Sequence, residues 1–115
     1  ELLLTAVALA VASIPEGLSA ALGNLAIVAQ HRGDAPTALA RLTEQEQLCR
    51  QVGDAQGLVL ALANRGEVTA RLPGRRAEGL ALLDQAVAAA QQVGWMQMVP
   101  QIQQLVAQLR SLPGA

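Results

Sequence analysis

Apolar residues recur at helical spacing through most of this chain, and short polar clusters carrying Gly or Pro interrupt them. Ala38, Leu39, Leu42, Leu48, Cys49 and Val52 fall on one stripe of a helix, and Leu80, Leu83, Val87, Ala90 and Val93 fall on another. No stretch alternates apolar and polar residues with the Val, Ile and aromatic content of a strand. The pattern predicts helices over about 16–31, 36–52, 55–71 and 76–93, and a last one from Trp95 to about Leu112. The interruptions have a mechanism. Pro15 suits the first turn of a helix, Gly33 and Gly53 can take positive φ, and Asp34 can cap the helix after it. Pro73-Gly74 reads as a turn and Gly94 as a stop, while Pro100 is tolerable in a first turn or places that helix start at 99.

The helices repeat. EGLSAALGN at 16–24 returns as QGLVLALAN at 56–64, and QVG at 51–53 returns at 92–94. The first offset is forty and the second forty-one, so one residue is inserted between them, most simply where RGDAP faces LPGRRA. A period near forty with two helices per copy predicts stacked helical hairpins, in which neighbouring copies bury each other's apolar faces. The organisation expected is a repeat at 16–53, a second at 56–94, and a C-terminal helix at 95–112 that is a partial repeat or a cap. Residues 1–12 align with 41–52 and read as the second helix of a truncated upstream copy, which makes the chain a piece of a longer protein. Read as a membrane span, that segment falls short of the roughly 18 to 20 apolar residues a bilayer needs. Read as a signal peptide, it lacks a basic leader. As a helix without its partner, it exposes an N-terminal edge through which the protein could self-associate.

Laid out in this way, the two copies resemble the tetratricopeptide repeat family in its longer variant, as found in bacterial multidomain proteins. Leu22, Asn24, Leu25 and Ala26 match the family's helix-A pattern in copy one. Leu62, Asn64 and Gly66 match it in copy two, where Arg65 departs at an apolar position. Ala38 and Gly79 match the small residue early in helix B. The resemblance implies an all-α, right-handed α-solenoid of antiparallel hairpins, five to six helices in this chain. Ala26, Gly66, Ala38 and Gly79 would then sit at the close crossings. Asn24 and Asn64 recur at one repeat position, which argues for a hydrogen bond that ties one hairpin to its neighbour, or alternatively for contact with a peptide. It also implies a concave groove lined by helix A, with Gly23, Ile27, Gln30 and His31 from copy one and Ala63, Glu67, Ala70 and Arg71 from copy two. Family members that clamp a carboxylate use Lys and Asn where this chain has Gly23 and Ile27, so a chaperone-tail receptor is not expected. AVALAVASIPEGL at 6–18 also resembles the unwound membrane helix of cation-transporting P-type ATPases, but no aspartyl-phosphate motif follows and the repeat already accounts for Gly17 and Leu18.

Composition narrows the function. With 52% hydrophobic and 15% charged residues the chain can bury a core. Its basic residues are all Arg, scattered, and set against a net charge of −1 with one aromatic residue, which is no nucleic-acid footprint. One Cys and one His exclude a cage of thiols or a paired-His site, and no Gly-rich phosphate loop follows a strand. Cys49 reads as a small core residue, and Glu44, Glu46 and Asp84 read as a solvated outer face. No catalytic residue, metal site or cofactor is expected. The expectation is a cytoplasmic, non-membrane protein-interaction module offering its groove to a peptide or neighbouring domain, or alternatively a spacer or oligomerisation segment.

Overall fold

The computed structural model describes residues 29–113, and every regular element among them is an α-helix. Residues 29–31 are helical. Four helices follow: α1 (Ala35–Val52), α2 (Ala55–Arg71), α3 (Arg76–Gln92) and α4 (Met98–Arg110). The expected 36–52, 55–71 and 76–93 are met to within one residue at each end. The segment 1–12, and most of the helix expected at 16–31, lie outside the described residues.

The ends of the helices are set by local chemistry. Gly33, Gly53 and Gly94 all have φ near +75°. The residue after each one donates its N–H five positions back, Asp34 to Ala29 O, Asp54 to Cys49 O and Trp95 to Ala90 O, each at 2.9 Å. That bond uses a carbonyl the helix end would otherwise leave unpaired, and the left-handed residue it requires is cheapest as Gly. The same Asp then starts the next helix: Asp34 Oδ1 accepts from Thr37 N at 3.2 Å and Asp54 Oδ1 from Gly57 N at 2.9 Å. A Gly-Asp pair thus ends one helix and begins another with no residue between. Asp54→Ala should lower stability by about 1 kcal/mol while Asp54→Asn stays near neutral. Urea denaturation checks this, and an unchanged midpoint for the alanine variant would deny the cap its role.

The turn between α2 and α3 is different. Arg75 N donates to Leu72 O at 3.1 Å across Pro73 and Gly74, with Gly74 at φ +74°, the arrangement of a type II turn. Residues 32–34 link the first helical residues to α1, whereas 72–75 link α2 to α3. Helix ends at 31 and 71 differ by 40 and helix starts at 35 and 76 differ by 41. The inserted residue is therefore in this loop, where the repeat offsets place it, because the Pro-Gly turn takes one residue more than the Gly-Asp junction.

Successive helices pack on one another, and α4 packs on both α3 and α2. The helices α2 and α3 cross closely. A Cβ on Gly79 would lie 2.5 Å from Ala70 Cβ and 2.5 Å from Gly66 O, and it would also strike Ala70 N. A Cβ on Gly66 would lie 2.8 Å from Leu83 Cγ and 2.9 Å from Gly79 O. Gly66 and Gly79 meet as expected. Around them a core of Val59, Leu62, Leu83, Ala86, Ala90, Ile102 and Leu109 spans α2, α3 and α4, and a second cluster joins Ala29, Ala38 and Leu42 to Val68. Cys49 is buried, as its place on the stripe implies. At the α1–α2 junction a Cβ on Gly57 would lie 2.6 Å from Cys49 Sγ, which explains the Gly at that point of the junction.

Three expectations need correction. Val52 and Val93 close the two apolar stripes in the sequence, yet they are exposed, each at a helix end beside a terminal Gly, Val52 as the last residue of α1 and Val93 as the cap of α3. The last helix is shorter than 95–112, since Trp95 belongs to the end structure of α3. Pro100 is its third residue, where a missing N–H breaks no helical bond. Glu46 is no simple solvated residue: it accepts from Arg65 of α2 at 2.8 Å and Arg50 of α1 at 3.0 Å. Arg65 departs from the apolar pattern because its side chain reaches that carboxylate. Glu44 is half-buried and paired with Arg41, and Asp84 is exposed.

Candidate functional site

The helix-A face implied by the resemblance divides once the helices are packed. Gly23, Asn24, Ala26 and Ile27 lie outside the described residues. Gln30 is half-buried and His31 exposed at the end of the first helical segment. On α2, Ala63 and Ala70 are 4% and 5% exposed and belong to the core that continues into α3 and α4. This corrects their assignment to a ligand-facing surface, since small side chains on α2 let the neighbouring helices come close and are covered by them. Glu67 and Arg71 remain accessible to different degrees, half-buried and exposed. Asn64 is half-buried, and its side chain makes no hydrogen bond among the described residues; the polar tie between α1 and α2 is Glu46–Arg65.

Arg71 is already engaged. Its Nε and Nη2 donate to Glu67 Oε2 at 3.2 and 3.0 Å, an i, i+4 pair on α2. A ligand acid approaching Arg71 must share it with Glu67. Several other surface charges are paired as well, Arg41 with Glu44, Arg50 and Arg65 with Glu46, and Arg75 with Glu78. Arg75 Nη2 donates to Glu78 Oε2 at 2.7 Å, and this hydrogen bond holds the Glu78 carboxyl below the usual range, with the charges of Arg75 and Arg65 adding to the effect. The bond from Thr37 similarly lowers Asp34. Groups held low in this way favour the folded state above the ordinary carboxylate range and lose that contribution as pH falls through their folded values.

Beside Arg71 the chain forms a cleft of about 490 Å³. It is lined by Ala70 and Arg71 at the end of α2, by Leu72, Pro73 and Gly74 of the turn, by Arg76 and by Leu112 and Pro113. Arg76 crosses to the chain beyond α4, where its Nη2 donates to Leu112 O at 2.7 Å and Pro113 O at 3.4 Å. Arg76 and Leu112 were not legible as site residues. The sequence signal was the Arg75-Arg76 doublet after Pro-Gly, and nothing in it shows that a segment 36 residues later folds back against one member.

Among the described residues no group of three or more His, Cys, Asp or Glu side chains could hold a metal ion, and no helix is long and apolar enough to cross a membrane. The arrangement supplies packed helices, several paired surface charges and an open cleft bordered by Arg71 and Arg76. Comparison with protein-family models, with curated proteins and with solved structures finds no match.

Proposed function

We propose that this chain is a protein-interaction module built as a short right-handed stack of tetratricopeptide-like helix pairs. It takes a peptide or a neighbouring domain on the side carrying Gln30, His31, Glu67 and Arg71. The observation that carries this reading is the reuse of one junction, Gly53-Asp54 closing α1 and opening α2 as Gly33-Asp34 does one helix earlier, with every helix packed on the next. A stack of this kind offers a long surface and no enclosed chamber, which suits recognition of an extended partner. Alternatively the segment is a spacer, with its surfaces covered by other parts of the same assembly.

Selection of displayed peptides against the whole chain, followed by amide chemical-shift mapping, tests the reading. Shifts should gather at Gln30, His31, Glu67 and Arg71 and spare Glu44 and Asp84. Two repeats present little area, so affinity should be weak, on the order of 10 to 100 μM, after the cost of association is met. Because Glu67 competes for Arg71, Glu67→Gln should strengthen binding of an acidic peptide a few-fold, and Arg71→Ala should weaken it roughly tenfold, about 1.4 kcal/mol. Shifts confined to the outer faces of α1 and α3 would move the surface to the B helices and end the groove assignment. Selection that enriches no peptide would favour the spacer.

A further inference from the structure

Resting on that reading, we propose that the cleft between the α2–α3 turn and Leu112–Pro113 is a carboxylate site, with Arg76 as its anchor and Arg71 as its second cation. Arg41, Arg65 and Arg76 are the half-buried arginines among the described residues. Arg41 pairs with Glu44 and Arg65 with Glu46, whereas among the described residues Arg76 has no carboxylate partner and bonds to the two backbone carbonyls at Leu112 and Pro113. Both of those bonds come from Nη2, so Nε and Nη1 donate to no group among the described residues. A guanidinium presents its N–H groups as a rigid fork that matches a carboxylate, and here the carbonyl bonds hold the fork in place.

The cleft also selects the ligand's shape and charge. Arg71 lines it but shares its charge with Glu67, so the two cations and one anion leave about a single positive charge to be met. That favours a monoanion over a doubly charged phosphate. Leu72, Pro73, Leu112 and Pro113 supply apolar walls, which fit a short hydrocarbon group attached to the acid. The shared chemistry is a monocarboxylate next to a small apolar group. A free short-chain acid carries it, and so does the C-terminal residue of a peptide.

The test uses the intact chain with sodium butyrate, butyramide as its uncharged counterpart, and two acetylated dipeptides ending in leucine, one with a free carboxylate and one amidated. Amide shifts of residues 70–76 and 112–113 are followed. Butyrate should saturate with a dissociation constant on the order of 1 to 10 mM, as a ligand of few atoms allows. Butyramide should produce no saturable shift. Arg76→Gln should weaken butyrate at least tenfold, Arg76→Lys less, and Arg71→Gln by a few-fold. The wild-type comparison of butyrate with butyramide decides the matter even if Arg76→Gln loosens Leu112–Pro113. Tighter binding of the free-acid dipeptide than of butyrate assigns the site to peptide termini, and the reverse assigns it to small acids. Equal response to butyrate and butyramide, or undiminished binding in Arg76→Gln, overturns the proposal. The peptide-binding reading stands on its own if selected peptides bind at Glu67 and Arg71 equally well when amidated.

Discussion

Gly79→Ala should destabilise this protein, although alanine is the better helix former by roughly 1 kcal/mol at an exposed helical position. The sign decides between two forces. Propensity alone predicts a gain, while the α2–α3 crossing predicts a loss, because the added Cβ would lie 2.5 Å from Gly66 O and would also strike Ala70 N. Both are backbone atoms, so the helices themselves must move apart. Gly79→Leu adds bulk that no rotamer can relieve and should cost about 3 kcal/mol, the upper part of the range for overpacking. For a domain of this size that corresponds to a melting temperature lower by roughly 10 °C. Thermal melts of both variants, followed by circular dichroism, provide the measurement. A raised melting temperature for Gly79→Ala would mean that the two helices do not approach this closely.

The second large effect is at Leu83, fully buried on α3 opposite Gly66. Leu83→Ala should cost roughly 2 to 5 kcal/mol, the lost burial plus the cavity it leaves. The partner change sharpens the test. Gly66→Ala alone should also destabilise, since its Cβ would sit 2.8 Å from Leu83 Cγ. In the double variant the space vacated by the leucine receives the new methyl group, so the combined loss should fall short of the sum by about 0.5 to 1 kcal/mol or more. Denaturant unfolding of the four proteins closes the cycle. Strict additivity would show that the two residues do not share one space, and that the register of α3 on α2 differs from the one described.

These two glycines also show how far local pattern carries. Gly66 and Gly79 were legible as small residues at a crossing because each matches a position where the resembled family carries a small residue. Arg65 was legible only as a misfit. Its partner Glu46 lies 19 residues away on another helix, and a pairing over that distance has no local signal. The same limit applies to Ala63 and Ala70. The resemblance puts them on the groove side, but whether that side faces solvent depends on which helices come to pack against it, as α3 does at Ala70 through Gly79.

The order of the helices over residues 35–110, the lengths of α1, α2 and α3, the turns between them and the place of the inserted residue were determined by the sequence itself. Each follows from interactions within a few residues: positive φ at Gly, an Asp oxygen on the N–H three positions on, a fixed φ at Pro. Tertiary structure decided which parts of those helices are covered and which charges find partners. It buried Ala63 and Ala70, left Val52 and Val93 exposed, tied Glu46 to Arg65 and set Arg76 against Leu112. Burial and ion pairing depend on atoms brought together from distant points of the chain, and a periodic pattern states only which face is apolar, not what arrives to cover it.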